Sequence, residues 1–216
     1  MGTEIPSSSR EPMRNVSGTI IVVAGLLIGF AIELATHAVG SEAALLKLGA
    51  LPDNGQLNGQ YWRLATYSFL HFNGAHLLVN VLLLFWVGRM IEKRVNRALA
   101  AAIYLSSVLV SATGILTAHN LNPKTGATVG ASGAVFGLLA AALVISYRRD
   151  ANSLTGESWP RRWLWCALLV GLGVSFLPGI SMAGHVGGII GGALPAAIAT
   201  ALNHTKIKRR AASATR

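Results

Sequence analysis

Residues 18–37 read GTIIVVAGLLIGFAIELATH and contain one charged side chain, Glu33. A helix needs about 20 mostly apolar residues to cross a hydrocarbon core about 30 Å thick. The apolar core of a cleavable secretory signal has about 7–15 residues, so this stretch is too long to be one. It therefore predicts a retained transmembrane helix.

Five further apolar stretches follow the first. Only 12% of the 216 residues are charged and 52% are hydrophobic, whereas about 25% of the residues of an average soluble domain are charged. We therefore predict an all-α, polytopic membrane protein, a bundle of six transmembrane helices. The remaining stretches are residues 69–87, 98–118, 129–147, 163–177 and 184–202.

The basic residues predict the orientation of this bundle. The formal net charge is +10, but the basic residues lie in short clusters beside apolar stretches and not on an amphipathic face, so nucleic-acid binding is not predicted. Of the 18 Lys and Arg residues, 15 fall on the side of the two termini, and the exceptions are Lys47, Arg63 and Lys124. By the positive-inside rule both termini are cytoplasmic.

The chain is interpreted as one domain with two tails. Residues 1–17 form a cytoplasmic N-terminal tail, residues 18–203 the membrane domain and residues 204–216 a basic cytoplasmic C-terminal tail. The long connection 41–68 is too apolar for a solvated linker and is predicted to lie in the membrane interface. A single cysteine, Cys166, excludes an internal disulfide and a cysteine-based metal cluster. No metal and no cofactor is predicted.

Four polar side chains should lie at one depth in the membrane. In the predicted topology the second, fourth and sixth helices all run from outside to inside, and His76, Asn80, Ser132 and His185 fall early in them. Polar side chains are costly inside a bilayer, so each requires a reason. A hydroxyl, two imidazoles and a carboxamide in one layer near the outer leaflet are typical of a functional site.

Glycines at four-residue spacing line the helices that carry Ser132 and His185. Such faces let helix backbones pack tightly. Tight packing would bring His185 within the roughly 2.6–3.2 Å that activation of a serine by a base requires. The glycines are Gly133 and Gly137 on the fourth helix and Gly184, Gly188 and Gly192 on the sixth.

His76 and Asn80 are four residues apart and so share one helix face. Together with the Ser132 N–H they could stabilise a tetrahedral oxyanion. Taken singly, each residue has a plainer interpretation, because Asn and His side chains often bond across helices and a small residue such as serine favours helix contacts. Glu33 near the hydrated outer end of the first helix, and His71 in a loop or interface, are assigned no chemistry.

Other hydrolase and nucleotide-binding classes are excluded by their motifs. Ala134 stands where the last glycine of a Gly-x-Ser-x-Gly elbow would be, and no strand precedes Ser132. No His-Glu-x-x-His zinc motif, phosphate loop or dinucleotide fingerprint occurs.

From about residue 62 to residue 192 the pattern resembles the rhomboid intramembrane serine proteases. Four motifs in the same order carry the resemblance, and they are specific in combination. They are Trp62-Arg63, His76-x-x-x-Asn80, Gly130-Ala-Ser132-Gly133 and His185-x-x-Gly188-x-x-x-Gly192.

The resemblance implies a Ser132–His185 dyad that needs no acidic third member, with the Ser132 N–H, His76 and Asn80 as oxyanion donors. Phe136 stands where rhomboid proteases often have a tyrosine that stacks on the catalytic imidazole. Phenylalanine can still stack there, although it offers no hydroxyl. Gly184 directly precedes His185 where alanine is common, and both residues are small.

The sequence therefore predicts an intramembrane serine endopeptidase that cleaves transmembrane or juxtamembrane segments of single-pass membrane proteins in the lipid bilayer. The alternative is a catalytically inactive relative that binds membrane clients. A transporter or channel is disfavoured by the lack of internal repeats. The short N-terminus, without a transit-like segment, favours a bacterial plasma membrane, and the oligomeric state is not predicted.

Overall fold

The computed structural model describes residues 17–123, 125–149 and 160–214, which are mostly helical. The α-helices are α1 (Gly18–Ala35), α2 (Glu42–Leu48), α3 (Arg63–Thr66), α4 (Gly74–Glu92), α5 (Arg97–Leu121), α6 (Ser132–Arg149), α7 (Arg161–Val174) and α8 (Met182–Ala214). One 3₁₀ turn covers Tyr67–Phe69, and two short strands, β1 (Leu51–Pro52) and β2 (Ala127–Thr128), pair antiparallel.

Each of the six predicted apolar stretches falls on a helix. Helices α1, α4, α5 and α8 are long and apolar enough to cross a membrane, and the Ser132–Tyr147 part of α6 is shorter but also apolar. Many large apolar side chains remain exposed on the outer faces of these helices, as expected where lipid is the solvent. The protein is an integral membrane protein.

The helix ends differ from the predicted bounds where local chemistry sets them. Helix α4 begins after residue 69, because Tyr67–Phe69 form the 3₁₀ turn and Asn73 caps the helix by accepting a hydrogen bond from the His76 N–H at 2.8 Å. Helix α7 ends at Val174, before residue 177, and α8 continues past residue 202.

Helix α6 forms the centre of the bundle. Between Gly133 and Ser146 every residue except Val144 is buried. On one side it packs against α8 so closely that a Cβ added at Gly188 would overlap the carbonyl oxygen of Gly133. A Cβ at Gly192 would likewise overlap the carbonyl oxygen of Gly137. The predicted close packing of the two helices is therefore confirmed at Gly188 and Gly192, whereas a Cβ at Gly184 would lie 2.9 Å from the Ile115 side chain on α5.

A second glycine face of α8, which the sequence analysis missed, contacts α5. A Cβ at Gly187 would lie 2.6 Å from the carbonyl oxygen of Val110, and one at Gly191 would lie 2.5 Å from that of Ser106. The paired glycines at 187–188 and 191–192 thus let α8 approach α5 and α6 at once. This fixes α8 between two neighbours and sets the position of its first turn.

Helix α1 lies at the edge of the bundle. Its buried residues Thr19, Leu26 and Glu33 recur every seven positions and so form one narrow face. The approach is close at Gly29, where a Cβ would lie 2.5 Å from the carbonyl oxygen of Phe69. Glu33 is buried and not partly hydrated as the sequence analysis expected, because this face turns towards the bundle.

The connection 41–68 is folded onto the bundle. Leu45 and Ala50 are fully buried, and they pack with Ala38 and Leu70. Strand β1 pairs with β2 in the loop that leads to α6, with Leu51 opposite Thr128. The connection therefore supports the loop before Ser132, while its position in the membrane interface stays a prediction.

Parts of the predicted organisation lie outside the described residues. Residues 1–16 of the predicted N-terminal tail, Lys124, and residues 150–159 of one basic loop are among them. The backbone of α8 is helical as far as Ala214 and so runs through most of the predicted C-terminal tail.

Candidate active site

Ser132 is the first residue of α6, and the preceding loop brings it to this position. Gly130 has a φ of 124°, which L side chains rarely adopt, and its N–H donates to the carbonyl oxygen of Tyr67 at 3.0 Å. The carbonyl of Ala131 accepts from Val135 and starts the helical ladder. Since the first N–H groups of a helix have no intrahelical acceptor, the Ser132 N–H is available to a ligand.

Ser132 and His185 are hydrogen bonded, with Oγ and Nε2 2.8 Å apart. His185 lies in the first turn of α8, where its N–H donates to the carbonyl oxygen of Ser181 at 3.1 Å, and its side chain is buried. The glycine contacts between α6 and α8 set this separation. The structure thus brings together the two residues that the sequence analysis paired.

The imidazole of His185 is stacked on Phe136. The ring centroids are 4.1 Å apart and the planes are inclined by 16°. Phe136 fits between His185 and α7 because Gly171 has no side chain, and a Cβ there would lie 2.6 Å from the Phe136 ring. The stacking expected of phenylalanine at this position is therefore observed.

His76 lies against the loop that precedes Ser132. A Cβ at Gly130 would lie 2.7 Å from Nε2 of His76, so the imidazole covers the backbone there. Asn80 is buried one turn further along α4, and its Nδ2 donates to the carbonyl oxygen of His76 at 3.1 Å. A carboxamide has two N–H groups, so this bond leaves one for another acceptor.

Comparison with known proteins matches the Rhomboid domain to residues 58–201, which include both Ser132 and His185. The chain belongs to the rhomboid family. It is 31% identical to the protein named rhomboid protease GluP of Bacillus subtilis over 181 residues, 82% of this chain and 34% of that protein.

Two further relatives are also rhomboid proteins by name. RHOMBOID-like protein 5 of Arabidopsis thaliana is 31% identical over 68% of this chain and 47% of its own length. The putative rhomboid protease YdcA of Bacillus subtilis is 31% identical over 65% of this chain and 68% of its own length. This rhomboid chain therefore spans about a third of GluP and about half of the Arabidopsis relative.

The Trp62-Arg63 motif of this rhomboid chain lies in the connection between α1 and α4 and contacts an earlier part of it. Nη1 of Arg63 donates to the carbonyl oxygens of Leu46 and Ala50, each at 2.7 Å. Its guanidinium lies 4.8 Å from the centre of the Trp62 ring. The pair therefore holds the end of α2 against the bundle.

Two buried polar residues were assigned no chemistry from the sequence, and they contact each other beside His76. Oε1 of Glu33 accepts a hydrogen bond from the backbone N–H of His71 at 2.7 Å. The ring of His71 meets that of His76 edge to face, with centroids 5.1 Å apart. His71 lies in the loop between the 3₁₀ turn and α4, one of the two places that the sequence analysis allowed, and it is fully buried there.

Sequence reasoning missed Ser175, which contacts the other ring nitrogen of His185. Its Oγ lies 2.5 Å from Nδ1 and 2.8 Å from the carbonyl oxygen of Gly171. The only signal in the sequence was a polar residue in an apolar stretch, and two such serines, Ser106 and Ser107, bond backbone carbonyl oxygens. Nothing in the spacing distinguishes Ser175 from them.

Proposed function

We propose that this rhomboid is an intramembrane serine endopeptidase with Ser132 as nucleophile and His185 as general base. The observation that carries the proposal is the 2.8 Å contact between Ser132 Oγ and His185 Nε2. A serine hydroxyl is a weak nucleophile unless an adjacent base accepts its proton, and this separation is within the range that such transfer requires. The named relatives support the same activity at the level of the family.

The reaction follows from these two groups. Ser132 Oγ attacks the substrate carbonyl while His185 accepts the hydroxyl proton, which gives a tetrahedral intermediate. The imidazolium then protonates the leaving nitrogen, the peptide C–N bond breaks, and an acyl-enzyme remains. Water, deprotonated by His185, attacks the ester, and the new carboxyl end leaves as Ser132 recovers its proton. The same base therefore serves both acyl-transfer steps, first to Ser132 and then to water.

The oxyanion of the intermediate needs hydrogen-bond donors, and three groups are candidates. The Ser132 N–H is at the start of α6, where the helix dipole also favours negative charge. The His76 ring packs against Gly130, two residues before the nucleophile, and Asn80 follows on the same face of α4. We propose these three groups as the oxyanion donors, each worth about 3–4 kcal/mol if its loss resembles that of other such donors.

The substrates we propose are single-pass membrane proteins in the same lipid bilayer. A transmembrane helix satisfies its own backbone, so it must unwind locally before a carbonyl can be attacked. Helix-destabilising residues near the cleavage point should therefore favour cleavage. Water must enter from the outer side, and the connection that contains Gly179, at a φ of 79° with open space around it, is a candidate cap.

We also propose that all six apolar helices cross the membrane, with both termini in the cytoplasm of a bacterial cell. The charge distribution supports this orientation. The orientation is tested with a reporter enzyme that is active only outside the cytoplasm. The reporter is fused after the C-terminus in one protein and inserted at Asn54, in the tight turn after β1, in another. Activity is expected from the insertion alone, and activity of the C-terminal fusion would contradict the orientation.

The proposed activity is tested with a fluorescent fluorophosphonate, which labels activated serines, on the purified protein in detergent. Wild type is expected to label, and Ser132→Ala and His185→Asn are not. Matched controls are Ser107→Ala, whose hydroxyl bonds the carbonyl oxygen of Ile103, and His37→Asn at the exposed end of α1. Both controls should label as wild type does.

A second assay distinguishes a protease from an inactive client-binding protein. It measures cleavage of a single-pass reporter in vesicles, and mass spectrometry identifies the products. A wild-type protein that is folded but neither labels nor cleaves would support the alternative, an inactive rhomboid that binds membrane clients. The intact Ser132–His185 contact favours the protease.

A further inference from the structure

Both ring nitrogens of His185 have a partner within hydrogen-bond distance. Nε2 contacts Ser132 Oγ at 2.8 Å, and Nδ1 contacts Ser175 Oγ at 2.5 Å. A neutral imidazole carries one proton, and which nitrogen carries it decides whether the ring can act as a base towards Ser132. The bond at Nδ1 therefore controls the chemistry at Nε2.

We propose that Ser175 is a positioning residue that holds the proton of neutral His185 on Nδ1 and so keeps the lone pair of Nε2 directed at Ser132. This rests on the proposed protease function. Ser175 does not touch the substrate and acts only through the imidazole. It takes the place in the structure where a carboxylate orients the histidine of a Ser-His-Asp triad.

The single hydrogen of the Ser175 hydroxyl allows two arrangements, and the contact with Gly171 favours one of them. The Ser175 hydroxyl has one hydrogen and two lone pairs, whereas the carbonyl oxygen of Gly171 can only accept. At 2.8 Å the hydroxyl donates its hydrogen to Gly171. It then has only lone pairs to offer His185, so the hydrogen of the short contact comes from Nδ1.

The fold fixes Ser175 in this role. Ser175 caps the C-terminus of α7, and its backbone N–H donates to the same Gly171 carbonyl oxygen at 3.0 Å. The side chain is buried, so bulk water does not readily replace it. When His185 accepts the second proton, its Nδ1–H still donates to Ser175, and the contact persists through the reaction.

The strength of the effect is limited because a hydroxyl has no charge with which to stabilise an imidazolium. Loss of Ser175 should therefore cost less than the roughly 10⁴-fold that a wrong tautomer costs in a carboxylate-based triad. We expect kcat to fall about 10- to 100-fold, a part of what general-base catalysis supplies. KM should stay within about threefold, because the substrate does not contact Ser175.

The experiment compares wild type, Ser175→Ala, Ser175→Thr and Ser107→Ala. The protein is labelled with nitrogen-15 at histidine, and long-range proton–nitrogen spectra in detergent report which ring nitrogen of each histidine is protonated. The His185 signals are assigned by their loss in His185→Asn. Fluorophosphonate labelling rates, reporter cleavage and Tm are measured on the same samples.

The expected result is an Nδ1–H tautomer of His185 in wild type and in Ser107→Ala. Ser175→Ala should lose that tautomer, and its labelling rate should fall 10- to 100-fold. Its Tm should stay close to that of Ser107→Ala. Ser175→Thr, which keeps a hydroxyl, should retain the tautomer. The Ser107 control removes an equivalent bond to a carbonyl four residues earlier.

An Nε2–H tautomer in the wild-type protein would overturn the inference. This test needs no variant, so it does not depend on whether Ser175→Ala folds. Unchanged labelling and an unchanged tautomer in folded Ser175→Ala would overturn it too. Failure of the protease proposal looks different, because wild type would then neither label nor cleave, whatever tautomer its spectrum shows.

Discussion

Phe136 stacks on His185 with the two ring centroids 4.1 Å apart. Substitution of Phe136 by alanine should remove this support and leave a cavity between α6, α7 and α8. We expect a loss of about 3–5 kcal/mol in the free energy of unfolding, typical of Phe→Ala in a packed core, and a fall in labelling rate beyond that explained by unfolding. The measurements are Tm in detergent and fluorophosphonate labelling of the folded fraction.

The matched variant is Phe136→Tyr, which keeps the ring and restores the residue that rhomboid proteases often have. It should retain stacking and activity. If Phe136→Ala kept the full labelling rate, the stacking contact would have no part in orienting His185.

Gly188 is one of two positions at which α8 has no room for an added atom against α6. A Cβ there would overlap the carbonyl oxygen of Gly133, and backbone cannot move aside as a flexible side chain can. Gly188→Ala should therefore destabilise the bundle by about 1–3 kcal/mol and separate Ser132 from His185, so that labelling is lost. Tm and labelling are measured together.

Gly173→Ala is the control for Gly188→Ala. Gly173 is also helical, but nothing lies within 4 Å of an added Cβ, so no loss of Tm or labelling is expected. Equal effects at the two positions would show that helix flexibility, and not the contact between α6 and α8, governs the result.

The contact between Ser132 and His185 was predictable from the sequence, whereas the residues that surround it were not. Ser132 and His185 could be paired because apolar length, loop charge and glycine spacing place them at one depth on helices that pack closely. Ser175 could not be found this way, since its contact depends on where α7 ends and how the link to α8 turns. Glu33 was misplaced for a similar reason: hydropathy gives depth in the membrane but not which face of α1 meets the bundle.

Gly130 carries two constraints that substitution would break together. Its φ of 124° is unfavourable for a side chain, and a Cβ would lie 2.6 Å from Cε1 of His76. Gly130→Ala should therefore displace His76 or the loop before Ser132, with loss of most reporter cleavage. Gly40→Ala measures the cost of the backbone conformation alone, because Gly40 also has a positive φ but open space around it. That control should cost about 1–2 kcal/mol in stability and keep its kcat.

Substitution of Glu33 tests whether a buried carboxylate stabilises the loop that holds His71 against His76. Oε1 of Glu33 accepts from the His71 backbone N–H at 2.7 Å, and both residues are fully buried. Glu33→Ala would leave that N–H without an acceptor, at a cost of about 1–3 kcal/mol, and should lower Tm. Glu33→Gln keeps an oxygen acceptor of the same length and should retain most of the stability. A Gln variant as unstable as the Ala variant would mean that the carboxylate has a role beyond accepting this bond.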